Sequence, residues 1–242
     1  MILFLGGAVI EPIYFFLLYV FSPVEVFKGS ENRLINVSYA KTFLPVMALV
    51  YYLPHVGSHI ATDLMTRQKL AWIYQTYNVW VPLTQWLLAR FFLRNTFQQD
   101  KLYNVKRDMK YIRVTIGTLC LVCSASWLYT FYYTPYSFSE IRFPSRAVDG
   151  TLGESMRRLL QWDEWIMLLN SQLWILYSFL DLKNAEMISQ SWLELALVQA
   201  LAYIVGGPGV ALAIGWWRRE EVLASKRHKG AIVKGWDEKK TS

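Results

Sequence analysis

The chain has 242 residues, 54% of them hydrophobic and 16% aromatic, with only 18% charged and a formal net charge of +7. Its apolar residues gather in blocks of about 20, the length that crosses a bilayer core, which excludes an ordinary water-soluble domain. The positive charge lies between those blocks and toward the C-terminus, where it meets lipid headgroups and sets topology; it is not a nucleic-acid footprint.

In chain order, six spans are expected, at about 1–21, 40–61, 70–93, 111–133, 160–182 and 190–217. Boundary error allows about five to seven. The expected fold class is therefore all-α: a polytopic transmembrane helical bundle around an interior pocket. Residues 1–217 form the transmembrane domain and 218–242 a polar C-terminal tail. Met1 leads directly into apolar residues without a basic stretch, so no cleavable signal peptide is expected. Pro12, Pro45, Pro54, Pro82 and the "GGPG" at Gly206–Gly209 fall inside spans. Each proline removes a backbone donor, and such breaks are tolerated in a membrane where a cavity or a neighbouring helix re-satisfies the backbone. Cys120 and Cys123 have the spacing of a redox pair but lie in the apolar "GTLCLVCSASW", where they read as packing residues.

The polar residues inside apolar blocks carry the functional reading, because an ionisable group at that depth is costly and usually functional. In "GGAVIEPIYFFLLYVF" the one charged residue is Glu11, with Tyr14 and Phe15 on its helical face. In "LLQWDEWIMLLNSQLWILY", Asp163 shares a face with Met167, Asn170 and Trp174, while the adjacent Glu164 points about 100° away. Both acids are expected in the first turn of their helix, where the dipole favours negative charge. His55, His59 and Asp63 in "LPHVGSHIATD" fall at i, i+4 and i+8. That face suits a cavity-lining donor or base; for zinc it lacks the Glu that should follow the first His, so no metal is assigned. Glu194 sits one turn from Gln190 in the last span.

Several chemistries lack their motifs. No D-D-x-x-D, N-x-x-x-D or N-D-x-x-S-x-x-x-E occurs to hold magnesium against a diphosphate. No Walker, Rossmann or G-x-S-x-G pattern occurs either, so no cofactor is expected.

"ENRLINVSYAKTFLPVMALVYYLPH", "EPIYFFLLYVFSP" and "LLQWDEWI" together resemble segments of the fungal integral-membrane terpene cyclases of meroterpenoid biosynthesis, of the macrophorin and ascofuranone type. The resemblance implies an enzyme of secondary metabolism that protonates an epoxide or olefin on a farnesyl-type chain and cyclises it through a carbocation, without ionising a diphosphate. The Gln-aromatic-Asp match carries a role to Asp163. An apolar cavity keeps a carboxyl neutral, and aromatic faces shelter a cation. The expected catalytic acids are thus Asp163, Glu11 and Glu164, with Asn170, Trp162, Trp174, Tyr14, His55, His59 and Glu194 lining the substrate. The expected partners are a hydrophobic prenylated small molecule and membrane lipid, with no nucleic acid and no obligatory protein partner. The expected location is multi-pass in the endoplasmic reticulum. Two rivals use the same carboxyls: a small transporter or lipid-binding protein with a carboxylate relay, and a sterol-type double-bond isomerase.

Overall fold

The computed structural model describes residues 7–21, 37–91, 107–144 and 150–225. Among these residues the regular elements are helical and no strand occurs. In order they are α1 (Gly7–Phe21), α2 (Val37–Val46), a π-helical segment (Met47–Tyr52), α3 (Leu53–Ile60), α4 (Leu64–Gln75), α5 (Tyr77–Phe91), α6 (Arg107–Tyr133), α7 (Phe138–Arg142), α8 (Leu152–Asn184), α9 (Trp192–Gly206) and α10 (Pro208–Ser225). They group into two compact units, Ser30–Thr115 and Met1–Gly29 with Ile116–Ser242. Part of the quoted Glu31–His55 segment, residues 94–106 of the loop expected between the third and fourth spans, and residues 226–242 of the tail lie outside the described residues; residues 107–110 of that expected loop are the first turn of α6.

Two stretches, Val37–Ile60 and Met109–Tyr133, are long and apolar enough to cross a membrane. α1 and α9 are apolar but have only 15 residues each. α8 has 33 residues, yet Asp163, Glu164 and Asp181 interrupt its apolar part. The helical character of the chain follows from these elements; two of them have the length and composition of a membrane span, and six crossings do not follow.

Within Ser30–Thr115, α2 packs on α5 and α3 on α4, and Gln85 of α5 donates to the Tyr39 carbonyl of α2 at 2.9 Å. The expected span 40–61 is helical as far as Ile60 but changes its winding between its prolines. Pro54 has no N–H to return to residue 50. Beside it the Leu53 N–H bonds the Ala48 carbonyl, five residues back, so a π turn absorbs the break.

In the other unit, α1 packs along α8, and α8 packs on α10. A core of Ile175, Phe179, Leu182, Met187, Ile188, Val222 and Leu223 fills the α8–α10 contact. Two expectations change here. The single span expected at 190–217 is a hairpin: Gly207 takes φ +87°, a left-handed value that glycine adopts without penalty, and α10 folds back on α9. A Cβ at Gly207 would stand 2.8 Å from the Trp127 ring, so the turn is closed sterically as well. α10 also continues through Arg218 to Ser225, past the expected start of the polar tail.

The second change is the start of α8. Thr151 and Glu154 form a reciprocal capping box, so the helix begins at Leu152. Asp163 and Glu164 therefore lie about three turns inside it, beyond the reach of the terminal dipole. Thr151→Ala is expected to cost about 1 kcal/mol, the usual loss for an N-cap. Hydrogen bonds from the Thr151 N–H and hydroxyl hold the Glu154 carboxyl below its ordinary range. A depressed carboxylate stabilises the fold above the unfolded-state pKa and loses that contribution as pH falls through the folded value. Thermal melts of Glu154→Gln and the unaltered chain should accordingly differ near neutrality and converge in acid. A gap that stays constant into acid would contradict the ionic cap.

Candidate functional site

The seam between α1 and α8 collects the polar residues that stand out in the sequence. The two helices run parallel, and their contacts advance together. Asp163 Oδ1 accepts a 2.8 Å hydrogen bond from the Ala8 N–H. Glu11 Oε1 accepts one of 3.0 Å from the Ser171 hydroxyl. Phe15 stacks on Trp174 with centroids 4.9 Å apart, Tyr19 meets the Tyr177 ring at 5.4 Å, and the Tyr19 hydroxyl donates to Asp181 at 3.0 Å.

Each pairing has a local cause. The first N–H groups of a helix lack intrahelical partners; Asp163 supplies one for the start of α1. Pro12 has no N–H for the Ala8 carbonyl, so both backbone groups of Ala8 are freed from ordinary helical bonding just where Asp163 approaches. Ser171 is buried, and its short side chain admits Glu11. The opposite face of α1 is exposed and wholly apolar, with Val9, Ile13, Phe16, Leu17 and Val20 outward. A patch of that kind is unusual for a monomer in water and ordinary against lipid.

Two polar atoms at this seam lack partners. Glu11 Oε2 is buried without a hydrogen bond, and so is Asn170 Nδ2. Asn170 lies seven residues after Asp163 and four before Trp174, on the same helical face. Buried polar groups are nearly always satisfied, and exceptions point to a missing ligand, ion or water. Glu11, Asp163, Asn170 and Trp174 are thus brought together along one seam.

Glu164 is directed elsewhere. Its Oε1 pairs with Arg142 Nη1 at 2.8 Å, and Arg142 Nη2 donates to the Tyr203 hydroxyl at 2.7 Å. The guanidinium also lies over the rings of Trp127 and Tyr203, at 5.0 and 5.8 Å from their centroids. Trp165 donates to the Arg142 carbonyl at 2.6 Å, and Gln161 to those of Glu140 and Ile141. Arg142 therefore pins α7 to α6, α8 and α9. The expected spans place Arg142 in a loop and give it no role, although the "SFSE" that builds the α7 capping box signals a helix start there.

The other candidates are dispersed. Tyr14 and Trp162 are exposed. Glu194 closes the capping box of α9 with Ser191. His55 and His59 belong to the Ser30–Thr115 unit, where His55 stacks on Tyr51 at 5.8 Å and meets Tyr74 edge-on at 4.7 Å. Its Nδ1 is buried without a partner. The expected His55–His59–Asp63 face is not continuous: α3 ends at Ile60, Ala61 is extended, and Asp63 caps the next helix through the Thr66 N–H. Cys120 and Cys123 are free thiols packed against Ala202, Val210 and Ala211 of the α9–α10 hairpin.

Curated relatives share this chain's sequence nearly end to end. FAD-dependent monooxygenase anuJ of Penicillium roqueforti (strain FM164) is 37% identical over 95% of this chain and 28% of its own length. FAD-dependent monooxygenase verC1 of Penicillium polonicum is 31% identical over 93% of this chain and 28% of its own. FAD-dependent monooxygenase BOA8 of Botryotinia fuckeliana (strain B05.10) is 30% identical over 92% and 29%. This chain therefore spans under a third of the length of each. No solved structure matches it. The match to the CtvD domain runs over residues 1–224, and the chain belongs to the CtvD domain family.

Proposed function

We propose that this chain is a membrane-bound cyclase of fungal secondary metabolism that opens an epoxide on an apolar polyene by Brønsted acid catalysis. The farnesyl-type chain of a meroterpenoid is the substrate class named by the terpene-cyclase resemblance. The observation that carries the reading is the buried, unpartnered Glu11 Oε2 on a seam walled by Phe15 and Trp174. Glu11 delivers a proton to the epoxide oxygen. The C–O bond breaks, the electrons of a neighbouring double bond close the ring, and the cation moves past the Trp174 face. The final C–H proton passes to Asp163, so substrate and product are isomers. Asn170 Nδ2 donates to the substrate oxygen and orients it. In this reading the α1–α8 pair lies in the membrane with the two apolar spans, in a multi-pass arrangement of the endoplasmic reticulum.

The relatives favour the epoxide over the olefin. Their names carry a flavin-dependent oxygenation, and more than two-thirds of each lies outside the shared sequence. A flavin fold needs a strand, a glycine-rich turn and a helix. This sequence has no G-x-G-x-x-G, and its described residues contain no strand. Flavin does not fit this chain, and no step here uses it. An oxygenase joined to an epoxide-opening unit would hand its product over directly. Purified chain given the epoxide, without flavin or reductant, is expected to cyclise it and to leave the corresponding olefin unchanged. Turnover of the olefin at an equal rate would move the first protonation to carbon.

A further inference from the structure

Away from the α1–α8 seam, a cavity of about 290 Å³ opens between α8, α9 and α10, with Phe179, Leu195, Val198 and Ile214 as its apolar wall. It lies between the legs of the hairpin. Gln199 and Gly215 are nearer the turn at Gly207, and Gln190, Glu194 and Arg218 stand at the open end. Gly215 makes room for the deep amide: a Cβ there would stand 2.8 Å from Gln199 Nε2 and 2.9 Å from Ile175. The other end of that amide, Gln199 Oε1, is buried without a hydrogen bond.

The open end has the chemistry of a membrane rim. Lys183 lies over the Trp192 ring at 5.1 Å and its ammonium donates to the Gln190 carbonyl, an aromatic–cation pair of the kind that marks headgroup depth. Arg218 is exposed there, and among the described residues no carboxylate pairs with it. The cavity therefore offers a cation and the Ser191-bonded carboxylate of Glu194 at its mouth, an apolar wall and one unfilled acceptor inside. Its volume is at the lower limit of small-molecule pockets, about 300–1,000 Å³. That size suits a headgroup whose acyl chains stay in the surrounding lipid, not a prenylated aromatic.

We infer that this cavity holds a phospholipid whose phosphate meets Arg218 and whose headgroup carries an N–H or O–H donor for Gln199 Oε1. An ethanolamine phospholipid has both groups; a choline phospholipid has the phosphate and lacks the donor. The inference rests on membrane association and is independent of the cyclisation chemistry, so failure of either leaves the other standing.

The test is native mass spectrometry of the chain, extracted in detergent and offered phosphatidylethanolamine or phosphatidylcholine with identical acyl chains. The unaltered chain is expected to retain the ethanolamine lipid several-fold more than the choline lipid. Gln199→Met should bring the two to parity, and Arg218→Gln should lower retention of both several-fold. Arg218 is exposed, so its variant remains informative if Gln199→Met fails to fold. Equal retention of the two lipids by the unaltered chain would overturn the inference. So would a preference that survives Gln199→Met, or retention unchanged in Arg218→Gln. Free phosphoethanolamine should not compete at equal concentration; equal competition would show that the acyl chains take no part and would overturn a phospholipid as the occupant.

Discussion

Glu11→Gln is expected to lower cyclisation by about 10²–10⁴-fold, the usual worth of a positioned general acid, while leaving membrane insertion and thermal stability unchanged. The amide has nearly the carboxyl's shape. Its oxygen still accepts from the Ser171 hydroxyl, which lies 3.0 Å from Glu11 Oε1. What the variant loses is the acidic proton. Ser171→Ala separates positioning from proton donation: it removes one hydrogen bond and keeps the acid, so a smaller loss is expected, roughly tenfold for a bond of about 1–1.5 kcal/mol. Full turnover by Glu11→Gln would transfer the donor role to Asp163 and leave Glu11 a structural link between α1 and α8.

Glu164→Leu is expected to destabilise the fold by roughly 2–3 kcal/mol, although Glu164 itself is half exposed. The reason is the asymmetry of the pair. Arg142 is only 6% exposed and Glu164 is 46% exposed. Removing the carboxylate strands a buried guanidinium, a loss of about 3–5 kcal/mol when both partners are buried. Solvent at the open edge reduces that figure, and the Tyr203 hydroxyl remains at 2.7 Å. The reverse change, Arg142→Leu, leaves a carboxylate that water can reach and should cost less. Melting in detergent compares the two variants; equal losses would mean that the Arg142 site is well solvated. The pairing also bears on chemistry, because a carboxylate oxygen engaged by arginine is turned away from the α1–α8 seam where the epoxide would bind. Among the three expected acids, Glu11 has the free buried oxygen.

The helical spacing of "WDEWIMLLNSQLW" was enough to align Asp163, Asn170 and Trp174, because a long uninterrupted helix preserves the face. Glu11 was legible for a different reason: it is the one charge in an apolar block. Its partner was not, since Ser171 looks like any small residue of a membrane helix until α1 is laid against α8. Element boundaries depart from the apolar blocks where local capping and turn signals decide them. The "TLGE" before α8 is a capping box, yet its charged neighbours read as loop. "GGPG" registered as a break but not as a reversal, because the turn depends on Trp127 closing over Gly207 from another helix. Arg142 depends on the same tertiary enclosure, with Trp127, Glu164 and Tyr203 all distant in sequence.

The most direct test of acid-catalysed epoxide cyclisation is the origin of the oxygen in the product. Purified chain, the synthetic epoxide and water labelled with oxygen-18, with no flavin and no reductant, should yield a cyclic product isomeric with the substrate and free of label. The epoxide oxygen then remains as the new hydroxyl, and no solvent oxygen enters. An acyclic diol that carries the heavy isotope would show that water, rather than the substrate's own double bond, attacks the opened epoxide, and would contradict the cyclase account in favour of hydrolysis.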